Sequence, residues 1–251
     1  MTGTFLLLVV AGVAAGLCGS IAGLASLFSY PALLAIGLPP TTANVTNTVS
    51  LAFSSIGSAA GSRPELTGQG PTIRRFALLV IFGGAAGAGL LLLTPPGGFE
   101  KIVPFLVAGA SVVLLLQPWI KTVAVESAHR GGPLVILGIV AVAVYGGYFG
   151  AAAGVLMLVL LLTALPVSLL QANGLKNVLL GLANGVAAVG FALFGPVQWS
   201  AVLPMAIGLL VGAWTGPAVA RRVPTAALRT AIALAGVGLA VKLGIDAFRL
   251  P

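Results

Sequence analysis

Lys176 is the residue in this sequence that most needs a chemical explanation. It stands in Leu165 to Asn177, where Gln171, Asn173 and Asn177 are the other polar interruptions of an otherwise apolar run after Ser168. A lysine facing the middle of a bilayer costs about 2.5–3.5 kcal/mol on insertion scales, so a charge in such a run points to a cavity or a partner. Asn173 and Asn177, three and one residues away from Lys176, could share a pocket with it. A second polar group, Asn44, Asn47 and Thr48, opens another apolar run. Amide and hydroxyl groups can donate hydrogen bonds to a solute that has shed its water. As structural glue between helices they would contribute about 0.6 kcal/mol each. The four acids, Glu65, Glu100, Glu126 and Asp246, fall in expected loops or near helix ends. A polar cavity holding one cation and no carboxylate attracts an anion.

The elements that must position these side chains repeat. Apolar stretches fall at 5–25, 26–37, 44–61, 76–93, 101–119, 133–152, 153–164, 169–193, 199–220 and 225–248. The second and seventh are short: at 1.5 Å per residue, twelve residues cover about 18 Å of a hydrocarbon core roughly 30 Å thick. Each follows a glycine-containing break and ends in Leu-Pro. Placing Leu38-Pro39 on Leu165-Pro166 also sets Gly19 on Gly146, Ser20 on Gly147, Gly23 on Gly150 and Ala25 on Ala152. After a two-residue gap, Asn44 falls on Asn173, Asn47 on Lys176 and Thr48 on Asn177; Gly83 and Gly87 match Gly208 and Gly212.

Glycines at the breaks expose half-helix ends whose N–H groups and positive dipole can face an anion. Gly19, Ser20, Gly146 and Gly147 therefore join the candidate binding residues. Gly83, Gly87, Gly208 and Gly212 have the small-xxx-small spacing of helix packing.

Composition confines the chain to the membrane. It is 59% hydrophobic and 6% charged, whereas soluble domains carry about 25% charged residues. The net charge of +8 comes from basic residues set between apolar runs, among them Arg63, Arg74, Arg75, Arg130, Arg221, Arg222 and Arg229. That distribution is the positive-inside pattern of cytoplasmic loops rather than a nucleic-acid footprint. A lone Cys18 excludes an intrachain disulfide, and the sequence offers no metal-ligand cluster or cofactor motif. The N-terminus lacks a charged n-region and reads as a mature helix.

The expectation is an all-α polytopic membrane protein of 8 to 10 hydrophobic segments, built from two repeats. These are 1–122 and 133–251, joined by a cytoplasmic loop at 123–132. Each has a glycine-broken, short helical hairpin followed by full-length transmembrane helices. With the basic loops on one side, each half crosses an odd number of times, which inverts one half relative to the other and points to a secondary transporter with a site near the midplane. The expected partners are a small anion and lipid, with no nucleic acid and with a homo-oligomer left open. An anion channel could use the same pocket. An intramembrane enzyme is disfavoured because no His, Asp or Glu lies within the apolar helices to activate a nucleophile.

The order and duplication of these motifs resemble the sulfite exporter TauE/SafE family of membrane permeases. The residues that carry the likeness are Leu38 to Asn47, Gln171 to Asn177, and Gly195 to Trp199 before a helix ending in Arg221-Arg222. The resemblance spans essentially the whole chain. It implies export of a sulfur oxyanion, such as sulfite or an organosulfonate, across the cytoplasmic membrane of a prokaryote.

Overall fold

A computed structural model describes residues 2–95, 97–126, 132–220, 237–238 and 240–247. The described chain is helical, in the order α1 (Thr2–Ala22), α2 (Ser26–Ala35), α3 (Pro40–Gly61), α4 (Arg63–Leu66), α5 (Gly70–Leu93), α6 (Gly98–Glu126), α7 (Pro133–Tyr148), α8 (Ala153–Ala164), α9 (Leu169–Phe194) and α10 (Trp199–Ala220). Residues 237–238 and 240–247 are also helical. Arg130 of the expected loop, the Arg221-Arg222 pair and Arg229 lie outside the described residues.

The short apolar stretches form short helices, of 10 residues in α2 and 12 in α8. The two Leu-Pro turns launch long helices by different local chemistry. α3 begins with Pro40 at its first turn, where the missing N–H is no loss. α9 begins with a capping box: Gln171 N donates to Ser168 Oγ, and Ser168 N donates to Gln171 Oε1. α2 ends in a Schellman turn, with Leu38 N on Leu33 O, Gly37 N on Leu34 O and Gly37 at φ +88. α6 runs on to Glu126, beyond the point where the sequence suggests a loop.

Four described segments are long and apolar enough to cross a membrane: Gly3–Ile21, Gly70–Leu93, Leu169–Phe194 and Trp199–Val219. The distribution of polarity agrees with that solvent. Phe82, Leu93, Leu134 and Leu193 point outward, while Asn44, Asn47, Asn173, Lys176 and Asn177 are buried. Lipid is as apolar as leucine, so the outer surface gains nothing by hiding its leucines; the polar groups must turn inward to find partners.

Glycine faces set the closest approaches. α1 packs along α10, and α3 packs along α10; α5 packs along α7 and along α9; α3 and α9 lie against each other. A Cβ on Gly12 would sit 2.5 Å from Met205 O, and one on Gly16 would sit 2.5 Å from Leu209 O. Gly208 and Gly212 present their backbones to Val9 and Val13 in the same α1–α10 seam, and Gly83 and Gly87 do so toward Val140, Ala143 and Val144 in the α5–α7 seam. The packing role expected of these four glycines is what the structure displays.

The breaks fall slightly later than Gly19 and Gly146. α1 continues through Gly19 and Ser20 and stops before Gly23 at φ +77; α7 continues through Gly146 and Gly147 and stops before Gly150, also at φ +77. Phe149 N and Gly150 N both donate to Tyr145 O, and the Tyr145 hydroxyl donates to Ala151 O at 2.7 Å. Ala152 completes the second break in the left-handed region at φ +59, a conformation costing an L-residue roughly 1–2 kcal/mol. The two breaks meet at the molecule's centre. A Cβ on Gly23 would lie 2.6 Å from the Gly154 backbone, so neither position has room for a side chain.

Candidate functional site

Where the breaks meet, α3 and α9 leave a cavity of about 70 Å³. Gly19, Ser20, Ala25 and Ser26 form one wall, and Gly146, Phe149, Ala153 and Gly154 form the facing one. Thr48, Ser54, Ser55 and Ser58 of α3 and Lys176, Asn177 and Asn184 of α9 complete it. A space of this size suits a small polyatomic ion or a few waters.

The expected residues divide into those that reach the cavity and those that hold its walls. Gly19, Ser20, Thr48, Gly146, Lys176 and Asn177 line it. Asn44, Asn47 and Asn173 stand behind. Gly147 faces away, toward α5, where a Cβ would collide with the Gly84 carbonyl, so that helix approaches too closely for any larger residue.

The lysine is held by acceptors. Lys176 is 1% exposed, and its Nζ donates to Asn173 Oδ1 at 2.7 Å, Gly19 O at 3.3 Å and Ser20 O at 3.5 Å. Asn173 Nδ2 donates to Ser20 O at 2.8 Å, and Asn177 Nδ2 to the same oxygen at 3.4 Å. These bonds correct one expectation. The helix ends beside Gly19 and Gly146 are C-terminal, so they offer carbonyl oxygens and the negative end of the dipole. A cation is the natural partner there, and Lys176 supplies it for α1.

The N–H ends belong to α2 and α8. Neither helix has a side-chain cap. Among the described residues the N–H groups of Ser26 and Gly154 make no backbone hydrogen bond, and both residues line the cavity. Two positive dipole ends, one from each break, thus border the same space.

On the first-half side the bonds run in a parallel way. Asn44 Nδ2 donates to Tyr148 O at 2.9 Å, at the C-terminal end of α7, as Asn173 does to the end of α1. Asn47 Nδ2 donates to Ser26 Oγ at 3.2 Å, and Thr48 Oγ1 to Asn44 O at 3.1 Å. Each asparagine helix pins the broken helix of the opposite half.

Glu65 lies closer to α9 than a loop position implies. It belongs to α4, and its Cβ would be 3.3 Å from a Cβ placed on Gly174. Sequence reasoning also missed the serines of α3 and Asn184. Ser54 and Ser58 continue the i to i+4 spacing of Ser50, and Asn184 is two helical turns beyond Asn177, so helical periodicity was the available signal.

The profile of the sulfite exporter TauE/SafE family matches residues 8–243. The chain belongs to that family. A Sinorhizobium protein described as a "probable membrane transporter protein" is 28% identical over 245 residues, covering 95% of this chain and 92% of the relative. An Escherichia coli protein of the same description is 27% identical, covering 92% of this chain and 86% of its own length. A third, from Haemophilus influenzae, is 27% identical with 82% and 80% covered. No solved structure matches the chain. Membership in the TauE/SafE family makes the chain a membrane transporter.

Proposed function

We propose that this TauE/SafE protein is a secondary-active carrier that exports a small anion, a sulfur oxyanion such as sulfite or an organosulfonate, across the cytoplasmic membrane of a prokaryote. The observation that carries the reading is the cavity at the meeting of the breaks. There the N-terminal ends of α2 and α8 and the residues Lys176, Thr48, Ser54 and Ser58 border one space. Helix N-termini and charged donors suit an oxyanion, and hydroxyls replace its water. Thr48, Lys176 and Asn177 make direct contact with the solute, as do the backbone N–H groups of Ser26 and Gly154 at the starts of α2 and α8. Asn44, Asn47 and Asn173 hold the broken helices in place.

Two inverted halves, 1–122 and 133–251, alternate access to this site by rocking about it. Matched packing supports this reading: the α1–α10 seam has its counterpart in α7–α5, and α3–α10 in α9–α5. The test is efflux of 35S-sulfite from proteoliposomes, followed by counterflow. Efflux above protein-free vesicles, accelerated by sulfite on the far side, is expected. Discrete single-channel currents in place of counterflow would make the protein a channel, and absence of efflux would reject sulfite.

A further inference from the structure

The two asparagine helices hold their amides differently, and the difference leaves acceptors without donors. In α9 the Asn173 amide is satisfied at both atoms, Nδ2 on Ser20 O and Oδ1 on Lys176 Nζ. In α3 the matching Asn44 is satisfied only at Nδ2. Its Oδ1 has no hydrogen-bond partner, and neither does Oδ1 of Asn47, although both side chains are wholly buried. The orientation of Asn44 is not open to reversal, because its partner is the Tyr148 carbonyl, which can only accept. A buried carbonyl oxygen stripped of water and left without a donor is costly, so Asn44 Oδ1 calls for a positive partner, and Asn47, one helical turn on, offers it a second oxygen while its other amide atom faces the Ser26 hydroxyl.

The rest of the molecule shows what kind of partner. Lys176, which falls on Asn47 in the internal match, places a single positive charge between an asparagine Oδ1 and the carbonyls at the C-terminal end of the opposite half's broken helix. In the first half the asparagine Oδ1 is present, and so is the C-terminal end of α7 with its Tyr148 carbonyl beside Asn44, but Asn47 carries no ammonium.

We propose that Asn44 Oδ1 and Asn47 Oδ1 bind a monovalent metal cation of sodium's kind, which takes in the first half the place that the Lys176 ammonium takes in the second. Neutral amide and carbonyl oxygens at a half-helix C-terminus suit a dehydrated sodium ion. A calcium or magnesium site would recruit carboxylates, and neither asparagine has one as a hydrogen-bond partner. Thr48 and Ser26, which bond to Asn44 and Asn47, both line the central cavity, so an ion here stands directly behind the anion site. As a coupling site it rests on the transporter reading, but cation binding itself does not.

The test uses purified full-length protein in a sodium-free buffer of N-methylglucamine chloride. Wild type should bind 22Na+ saturably at one ion per chain, with a melting temperature that rises by the order of 5 °C at saturating sodium. Asn47→Lys, which tethers an ammonium in place of the ion, should lower 22Na+ binding at least tenfold and remove the sodium dependence of melting. Asn44→Leu should also lose binding. No saturable 22Na+ binding by folded wild type, as for acceptors met by a buried water only, overturns the site. So does a folded Asn47→Lys variant that binds sodium like wild type. Sodium binding without sulfite efflux would reject the sulfite reading and leave the site standing.

Discussion

Replacing Lys176 by methionine separates the structural from the functional share of the one buried ammonium among the described residues. Methionine keeps most of the length and apolar stem while removing the charge. The charge-assisted hydrogen bond to Asn173 Oδ1 at 2.7 Å is lost at a cost of about 1.5–3 kcal/mol, and the longer ones to the Gly19 and Ser20 carbonyls add about 0.5–1.5 kcal/mol each. Against this, the penalty of about 2.5–3.5 kcal/mol for holding a lysine in the membrane disappears. The losses match or outweigh that relief by up to about 3 kcal/mol, so the variant should still fold, with a melting temperature lower by up to roughly 10 °C. Transport has no such compensation. A unit charge about 5 Å from a bound anion, at an effective dielectric of about 20, contributes about 3 kcal/mol, or roughly two orders of magnitude in affinity. The expected result is a variant that folds and reconstitutes normally but needs roughly a hundredfold more sulfite for half-maximal efflux from proteoliposomes. Efflux within threefold of wild type by folded Lys176→Met would refute the electrostatic reasoning and leave Lys176 as a tie for α1 alone.

Gly23→Ala and Gly37→Ala distinguish strain from crowding. Both glycines have positive φ, but a Cβ on Gly23 would lie 2.6 Å from the Gly154 backbone, whereas one on Gly37 meets nothing within 4 Å. Thermal denaturation in detergent should show a loss of about 1–2 kcal/mol for Gly37→Ala and about 1–3 kcal/mol more for Gly23→Ala; equal losses would mean the breaks do not meet as described. Ser54→Val should raise the half-saturating sulfite concentration about fivefold, at about 1 kcal/mol for the lost hydrogen bond, without changing thermal stability. Ser50→Val is the control, since Ser50 Oγ donates to Thr46 O within its own helix and does not line the cavity.

Much of the local architecture was legible because short helices announce themselves. The apolar runs at 26–37 and 153–164 became α2 and α8, and the asparagines and lysine after the Leu-Pro turns were gathered around the breaks. Which pole of the helix faced them was harder to read. Glycine marks a break but not its offset, and a shift of three or four residues, from Gly19 to Gly23, turned an expected N–H donor end into a carbonyl end. The α3 serines were invisible for a different reason: a serine in an apolar helix often bonds its own backbone, as Ser50 and Ser58 do. Only the antiparallel laying of α3 on α9, with Ser55 against Gly181, turns that stripe toward a cavity.

The seam between α1 and α10 also governs how the chain can be made. α1 is synthesised first, yet the glycine face it carries at Gly12 and Gly16 is matched by Met205 and Leu209, near the far end of the described chain. Until α10 has entered the bilayer, that face must be covered by lipid or by the insertion machinery, and the closing of α1–α10 is a contact of very long sequence separation that forms late. The helices of the α5–α7–α9 cluster, by contrast, follow one another more closely in the chain. A chain terminated before residue 199 would leave the glycine face of α1 without the helix it packs against.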